Sequence, residues 1–196
     1  IVDYKLAGST ALNIDLSKTG MQDTGFGSAR FVNIEGLAGG NGDDVFTGNT
    51  ADNFFEGRGG NDTFNIGSGG QDTLLYKLIN ASDATGGNGS DVVNGFTVGT
   101  WEGTADTDRI DLRDLLSDSG YTGTGSASYV NGVATLDSSA GNIADYIRVV
   151  QNGSNTEIQV DLDGTGGQFS PTTLVTLNGV QTDLATLLAN HQLLIA

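Results

Sequence analysis

Between Gly39 and Leu75 the apolar positions fall at a fixed interval. The chain reads GGNGDDVFT, GNTADNFFE, GRGGNDTFN, then Ile66, then GSGGQDTLL. Each unit of nine opens on a Gly-rich hexapeptide, places Asp or Asn sixth and an apolar residue eighth. The sixth residues are Asp44, Asn53, Asp62 and Asp72; the eighth are Phe46, Phe55, Phe64 and Leu74. A fifth unit, GGNGSDVVN, returns at Gly86–Asn94 with Asp91 sixth and Val93 eighth. One such unit alone reads as a solvated turn. Five in one register read as an internal repeat.

The pattern predicts a shape. Six residues turn tightly only if several tolerate positive φ, which Gly does at least cost. The other three form a short strand, and side chains on a strand alternate between faces. The eighth residue then points inward, the seventh and ninth outward. Two turns and two strands make a coil of about 18 residues. Gly39 and Gly57 are 18 apart; Gly48 and Gly67 are 19 apart, Ile66 being the extra residue. Turns therefore stack in two columns, Phe64 follows Phe46 inside, and Leu74 follows Phe55. Stacked turns also crowd carboxylates and backbone carbonyls together. A hard cation relieves that repulsion, and calcium, with six to eight oxygen ligands in flexible geometry, fits.

The rest of the chain carries other periods. IVDYKL and ALNIDL within Ile1–Asp15 alternate as short strands, Lys18–Arg30 reads as a loop, and Phe31–Leu37 as a strand. Asp15 and Asp23 are acidic but lie outside the repeat register. Leu74–Ile79 predicts a longer strand, and Phe96, Val98 and Trp101 an apolar cap over the end of the coils. Asp108–Leu112 alternates as a strand, with a helical turn over Leu112–Leu116. Tyr121–Asn142 reads as loop with a weak strand near Val133–Leu136. Ala144–Gln151 and Thr156–Asp161 flank an Asn-Gly turn and predict a hairpin. Thr172–Leu177 reads as a strand. Thr182 is placed to cap a helix over Asp183–Asn190 with Leu184, Leu187 and Leu188 on one face. The expectation is a mostly all-β fold: a parallel β-roll or β-helix over residues 1–97, then a β-rich capping region over 98–196 with a short C-terminal helix.

Composition narrows function. There are 24 Asp plus Glu against 8 Lys plus Arg, a net charge of −16. That excludes a nucleic-acid surface, since phosphate contacts need clustered basic residues. About three or four bound calcium ions would cancel much of the charge. With 31 Gly but one Pro, the chain does not read as a disordered linker, and no Cys is present to staple it. It opens on Ile1 without a signal peptide, as expected of a piece of a longer polypeptide. No catalytic constellation is found. His191, the one histidine, has no patterned partner and reads as a helix-end surface residue. Trp101, Tyr121, Tyr129 and Tyr146 are candidates for a sugar-binding face, though scattered aromatics more often serve a core.

The nonapeptide units resemble the RTX repeat, the Gly- and Asp-rich repeat of secreted bacterial proteins. The resemblance implies calcium ions between successive turns of a column. Each is held by carbonyls from the second and fourth residues of one turn, carbonyls from the first and third of the next, and both sixth side chains. By that resemblance one site is Gly40, Gly42 and Asp44 with Gly57, Gly59 and Asp62. A second is Asn49, Ala51 and Asn53 with Gly67, Gly69 and Asp72, less charged because Asn53 replaces an Asp. A third joins Arg58, Gly60 and Asp62 to Gly86, Asn88 and Asp91 across the insert Tyr76–Gly86. Separately, Asp161 and Asp163 flank Leu162 and precede Gly164, a further candidate calcium pair although not an EF-hand loop.

The order DVVNGF, DRIDLRDLL, ADYIRVVQ, DLDG, LVTLNGV and an apolar end is similar to the C-terminal region of proteins exported by type I secretion machines. That resemblance implies an uncleaved export signal in roughly the last 60 residues. Its partners would be an inner-membrane transporter and an outer-membrane channel. The expected localisation is secreted, or on the surface of a Gram-negative bacterium, with a host or biofilm surface contacted through the rest of the protein. The expected role is a non-catalytic C-terminal module of a large RTX adhesin. The alternatives are the same module on an extracellular hydrolase or toxin, or a domain that itself binds carbohydrate or a surface.

Overall fold

The structure is a computed structural model and describes residues 1–67 and 69–196. In chain order its strands are β1 (Val2–Asp3), β2 (Asn13–Asp15), β3 (Gln22–Asp23), β4 (Ser28–Ala29), β5 (Gly36–Ala38) and β6 (Val45–Thr47). There follow β7 (Phe54–Glu56), β8 (Thr63–Asn65), β9 (Thr73–Leu75), β10 (Asp91–Asn94), β11 (Arg109–Asp111), β12 (Ala127–Val130) and β13 (Val133–Leu136). The last are β14 (Ile147–Asn152), β15 (Asn155–Val160), β16 (Thr172–Asn178) and β17 (Leu193–Leu194). The α-helices are short: α1 (Ile143–Tyr146) and α2 (Leu184–Ala189).

The chain is mostly β, in parallel sheets that do not close into a barrel. From β5 to β11, successive strands alternate between two sheets. The first sheet has the order β1-β5-β7-β9-β11-β17, all parallel. The second runs β2-β6-β8-β10-β16 in parallel, then turns antiparallel through β15 and β14. The expected strands at the eighth positions are all present. Register aligns Ile14, Phe46, Phe64, Val93 and Leu177 across one sheet, and Leu37, Phe55, Leu74, Ile110 and Leu193 across the other. All ten are buried. Phe55 reaches between the sheets to Phe46 and Phe64, with ring centroids 6.1 and 5.9 Å apart. Each such side chain contributes about 1.5–3 kcal/mol by leaving water. Outside, ninth-position amides form a ladder: Asn65 donates to Thr47 Oγ1, Asn94 to Asn65 and Asn178 to Asn94.

Several expectations change. The strand expected over Leu74–Ile79 ends at Leu75, because Tyr76 turns inward and is buried. The loop Lys18–Arg30 contains the small pair β3–β4, and Tyr121–Asn142 contains the hairpin β12–β13. The predicted Asn-Gly hairpin is β14–β15, entered through α1. Helix α2 is capped by Asp183, whose Oδ1 accepts the Thr186 N–H at 2.9 Å; Thr182 lies one residue too early. Leu112–Leu116 makes its expected turn through one bond, Leu116 N–H to the Leu112 carbonyl. Of the expected cap, Phe96 is buried, Trp101 half-buried and Val98 exposed. The sheets continue beyond residue 97. Strands β11, β16 and β17 extend both of them, and β12–β15 form an insertion between β11 and β16. Among the described residues no helix is long and apolar enough to cross a membrane.

Candidate metal centre

The turns stack in two columns, and carboxylates lace each column together. Asp44 Oδ1 accepts the N–H of Leu12, Asp62 Oδ1 that of Asp44, and Asp91 Oδ1 that of Asp62, each at 2.8 Å. In the second column Asp72 Oδ1 accepts the N–H of Asn53 at 2.7 Å and Asp108 Oδ1 that of Asp72 at 3.0 Å. Each of these five carboxylates thus holds the turn before it. The fifth residues work the other way: Asp43 accepts from Asn61 N–H, Asp52 from Gln71 N–H and Asn61 from Ser90 N–H.

The same geometry explains the Gly that opens each of the first three units. A β-carbon at Gly39 would meet the Asp44 carboxylate, one at Gly48 would meet Asn53 Oδ1, and one at Gly57 would meet the Asp62 carboxylate. The sixth side chain folds beneath the first residue, so the requirement there is space.

The first expected site is brought together. The Gly40 carbonyl accepts the Gly59 N–H at 3.2 Å. The Gly42 carbonyl lies against Gly60, and the Gly57 carbonyl and Asp44 Oδ2 both crowd the point where a Gly39 β-carbon would be. Asp62 Oδ2 is buried and has no hydrogen-bond donor. The second expected site has the same orphan in Asp72 Oδ2, with the Ala51 carbonyl against Gly70. Asn53, however, is engaged by the protein. Its Oδ1 accepts from Asn49 N–H, and its Nδ2 donates to Glu35 and to Asn49 Oδ1.

A buried carboxylate oxygen without a donor is costly unless a proton or cation reaches it. Burial, reinforced by the neighbouring carboxylates, pushes Asp62 and Asp72 up to about 7, against the N–H bond each accepts. These orphan oxygens, with carbonyls beside them, form an oxygen-only donor set of the kind calcium takes. Among the described residues no three His, Cys, Asp or Glu side chains gather into one metal-holding group. The free candidate donors in the columns are Asp62 Oδ2 and Asp72 Oδ2, with backbone carbonyls of the stacked turns.

In the third expected site two of the expected donors, the Gly86 carbonyl and Asp91 Oδ2, are already engaged by protein groups. Its turn does stack, since Asp62 N–H reaches Asp91. But the Tyr76 hydroxyl donates to Asp91 Oδ2 at 2.9 Å. The Gly86 carbonyl accepts from Ile79 and Asn80 N–H, and Asn88 Nδ2 bonds the carbonyls of Lys77 and Thr85. The Arg58 guanidinium pairs with Asp3 and Glu56 and donates to the Gly39 carbonyl. The insert Tyr76–Gly86 supplies most of this, and no repeat pattern marks it.

Asp108 is a column member that the repeat register missed. Gly103–Asp111 reads GTADTDRID, a worn unit with Asp sixth and Ile110 eighth. Asp108 Oδ2 accepts from Thr97 N–H at 2.8 Å, and burial pushes its carboxyl up to about 7. A cavity beside it is lined by Gly67, Gly70, Thr97 and Asp106.

Elsewhere, Asp163 Oδ2 accepts from Gln168 N–H and Oδ1 from Phe169 N–H, while Asp161 Oδ1 is buried without a donor. Burial and the adjacent Asp163 raise Asp161; backbone donors lower Asp163. Asp15 and Asp23 serve their own turns, accepting from Ser17 and Gly25 N–H. The candidate sugar-face aromatics are used separately. Tyr121 and Tyr146 pair at 5.9 Å, Tyr129 donates to Asn190, and Trp101 stacks on Arg109. His191 pairs with Glu102 at the surface.

Compared with known proteins, the chain matches no protein-family model and no curated protein.

Proposed function

We propose that this chain is a calcium-folded, non-catalytic C-terminal module of a large secreted bacterial protein of RTX type, an adhesin, and that its two parallel sheets are a β-roll. The observation that carries the reading is the pair of buried, donorless carboxylate oxygens on Asp62 and Asp72, each between stacked glycine-rich turns lined with carbonyls. The ions lie in the first and second turn gaps. The gap between Asp72 and Asp108 and the Asp161–Asp163 loop are further positions with oxygen donors. The gap closed by Tyr76 takes none.

Mechanism follows from linkage. Extracellular calcium modules bind near 10⁻⁴–10⁻³ M. Where free calcium is far lower, the buried carboxylates oppose folding, and an unfolded chain can thread an export channel. Outside the cell, calcium binds the folded form and draws the chain into it. The C-terminal segment carries the type I export signal and leaves first, so its folding hinders backsliding. Secretion unchanged in calcium-free medium, and unchanged by Asp44, Asp62 and Asp72 substitutions, would refute this ratchet.

The direct test is far-UV circular dichroism with light scattering during a titration from chelator to about 10 mM calcium, with magnesium as control. The expected result is a coil-to-β transition with compaction, driven by calcium and not by magnesium. A chain already compact and β-rich in chelator removes the folding switch.

A further inference from the structure

A groove of about 500 Å³ crosses the outer face of the first sheet. Register sets Phe54 of β7 beside Thr73 of β9, and Thr73 beside Arg109 of β11, and all three line it. Ile1 packs over Gly36 and closes one end. Trp101 stands at the other, and its position is fixed from three sides. Its N–H donates to the Asn190 carbonyl at 3.0 Å, and its own carbonyl accepts from Gln71 Nε2 at 2.7 Å. The Arg109 guanidinium lies 4.0 Å over the indole ring while its Nε donates to Thr73 Oγ1. Glu35 and Asp52 stand on the rim.

Arg109 is unusual here. Among the described residues four of the eight basic side chains form no ion pair, Lys5, Arg30, Arg109 and Arg148, and of these only Arg109 is half-buried while the others are exposed. Its terminal nitrogens remain available as donors beside two aromatic surfaces and two carboxylate acceptors.

We infer that this groove binds an uncharged oligosaccharide. A pyranose ring has an apolar C–H face and a rim of hydroxyls that both donate and accept. Trp101 and Phe54 match the face. Arg109 donates to hydroxyl oxygens, and Glu35 and Asp52 accept from hydroxyl protons. Rigid aromatic floors with a few fixed polar groups are what small-molecule sites are built from. The rim carboxylates and the net charge of −16 disfavour an anionic glycan. The site lies on a strand face, but its rim reaches the second column of turns through Asp52 and Asn53, so it rests on the calcium-folded sheet of the proposed function.

Trp101 is the one tryptophan of the chain, so its fluorescence reports the groove directly. Cellohexaose, laminarihexaose and mannohexaose are titrated into the full chain in calcium, with an alginate hexamer as the anionic control. Circular dichroism on the same samples establishes folding, so a failed fold and a failed groove are told apart. The expected result is a saturable change with at least one neutral hexasaccharide, about tenfold weaker in Phe54→Ala and in Arg109→Ala. Calorimetry with Trp101→Phe, which keeps an aromatic ring against Arg109, is expected to show weakened binding without unfolding. The inference is overturned if no neutral hexasaccharide saturates below about 10 mM, if only the alginate hexamer binds, or if folded Phe54→Ala and Arg109→Ala bind as the parent does.

Discussion

Asp62 accepts the backbone N–H of Asp44 through Oδ1 at 2.8 Å, while its other oxygen, Oδ2, is buried with no donor. One atom fastens two turns and the other is left unsatisfied. Asn at position 62 keeps the first role and removes the charge from the second. Asp62→Asn is therefore expected to stabilise the chelated protein by about 1–3 kcal/mol, the scale of an unsatisfied buried polar group. In calcium the same variant is expected to lose most of the stabilisation the ion confers. Denaturant unfolding of parent and variant, each in chelator and in calcium, reads both changes. Equal destabilisation in the two conditions would mean that Asp62 is a structural acceptor only.

Gly57 has an ordinary negative φ, so its requirement is steric. A β-carbon there would strike the Asp62 carboxylate and stand 3.0 Å from Phe64 Cζ. Gly57→Ala is expected to destabilise by about 1–3 kcal/mol through overpacking. Gly20→Ala, where a β-carbon meets nothing within 4 Å and φ is not positive, is expected to be neutral within about 0.5 kcal/mol. Thermal unfolding of the two variants in calcium checks the contrast. Similar losses at both positions would remove the packing argument for the Gly at the head of the first three units.

The repeat was legible because two constraints recur in it. A buried eighth residue leaves a mark in every unit and a Gly above the sixth side chain in the first three, and Phe46, Phe55, Phe64 and Leu74 could be paired from spacing alone. Where only one constraint survives, the mark fades. Leu12 receives the same lacing from Asp44 that Asp44 receives from Asp62, yet it carries no carboxylate of its own. Val175 aligns with Asp91 in register, but its strand follows the inserted hairpins. Asp108 keeps the carboxylate and Ile110 the core position, without the run of Gly. Tyr76 could not be placed by any period, because its partner Asp91 is reached by the fold of an irregular insert.

Tyr76 and Asp91 give the third gap a covalently tethered substitute for an ion. Both side chains are buried, and the hydroxyl donates to the oxygen that the equivalent Asp62 and Asp72 leave free. Tyr76→Phe is expected to cost about 1–3 kcal/mol, the penalty of a buried carboxylate oxygen losing its donor. The loss is expected to be similar in chelator and in calcium, because the hydroxyl already occupies the Asp91 oxygen that an ion would take. Urea unfolding of the variant under both conditions decides it. A loss confined to the calcium-loaded protein would place Tyr76 in an ion site instead.

The buried carboxyls also set how the metal-free protein responds to pH. Asp62, Asp72 and Asp108 are pushed up to about 7 in the folded chain by burial, against 3.8 for an exposed Asp. Burial moves Asp44 and Asp91 in the same direction. Between these two values the folded form binds more protons than the unfolded form, so stability falls as pH rises. It is greatest near the lower value and is lost as pH passes through about 7. A proton does there what the proposed calcium would do at neutral pH. In chelator the melting temperature is therefore expected to fall from pH 5 to pH 8. In calcium the trend is expected to weaken or reverse, because the ion binds the deprotonated carboxylates. Melting curves across that range, with and without chelator, carry the sign of the effect. A chelated protein that becomes more stable toward pH 8 would show that these carboxylates are solvated or paired, and the turn gaps would no longer call for a cation.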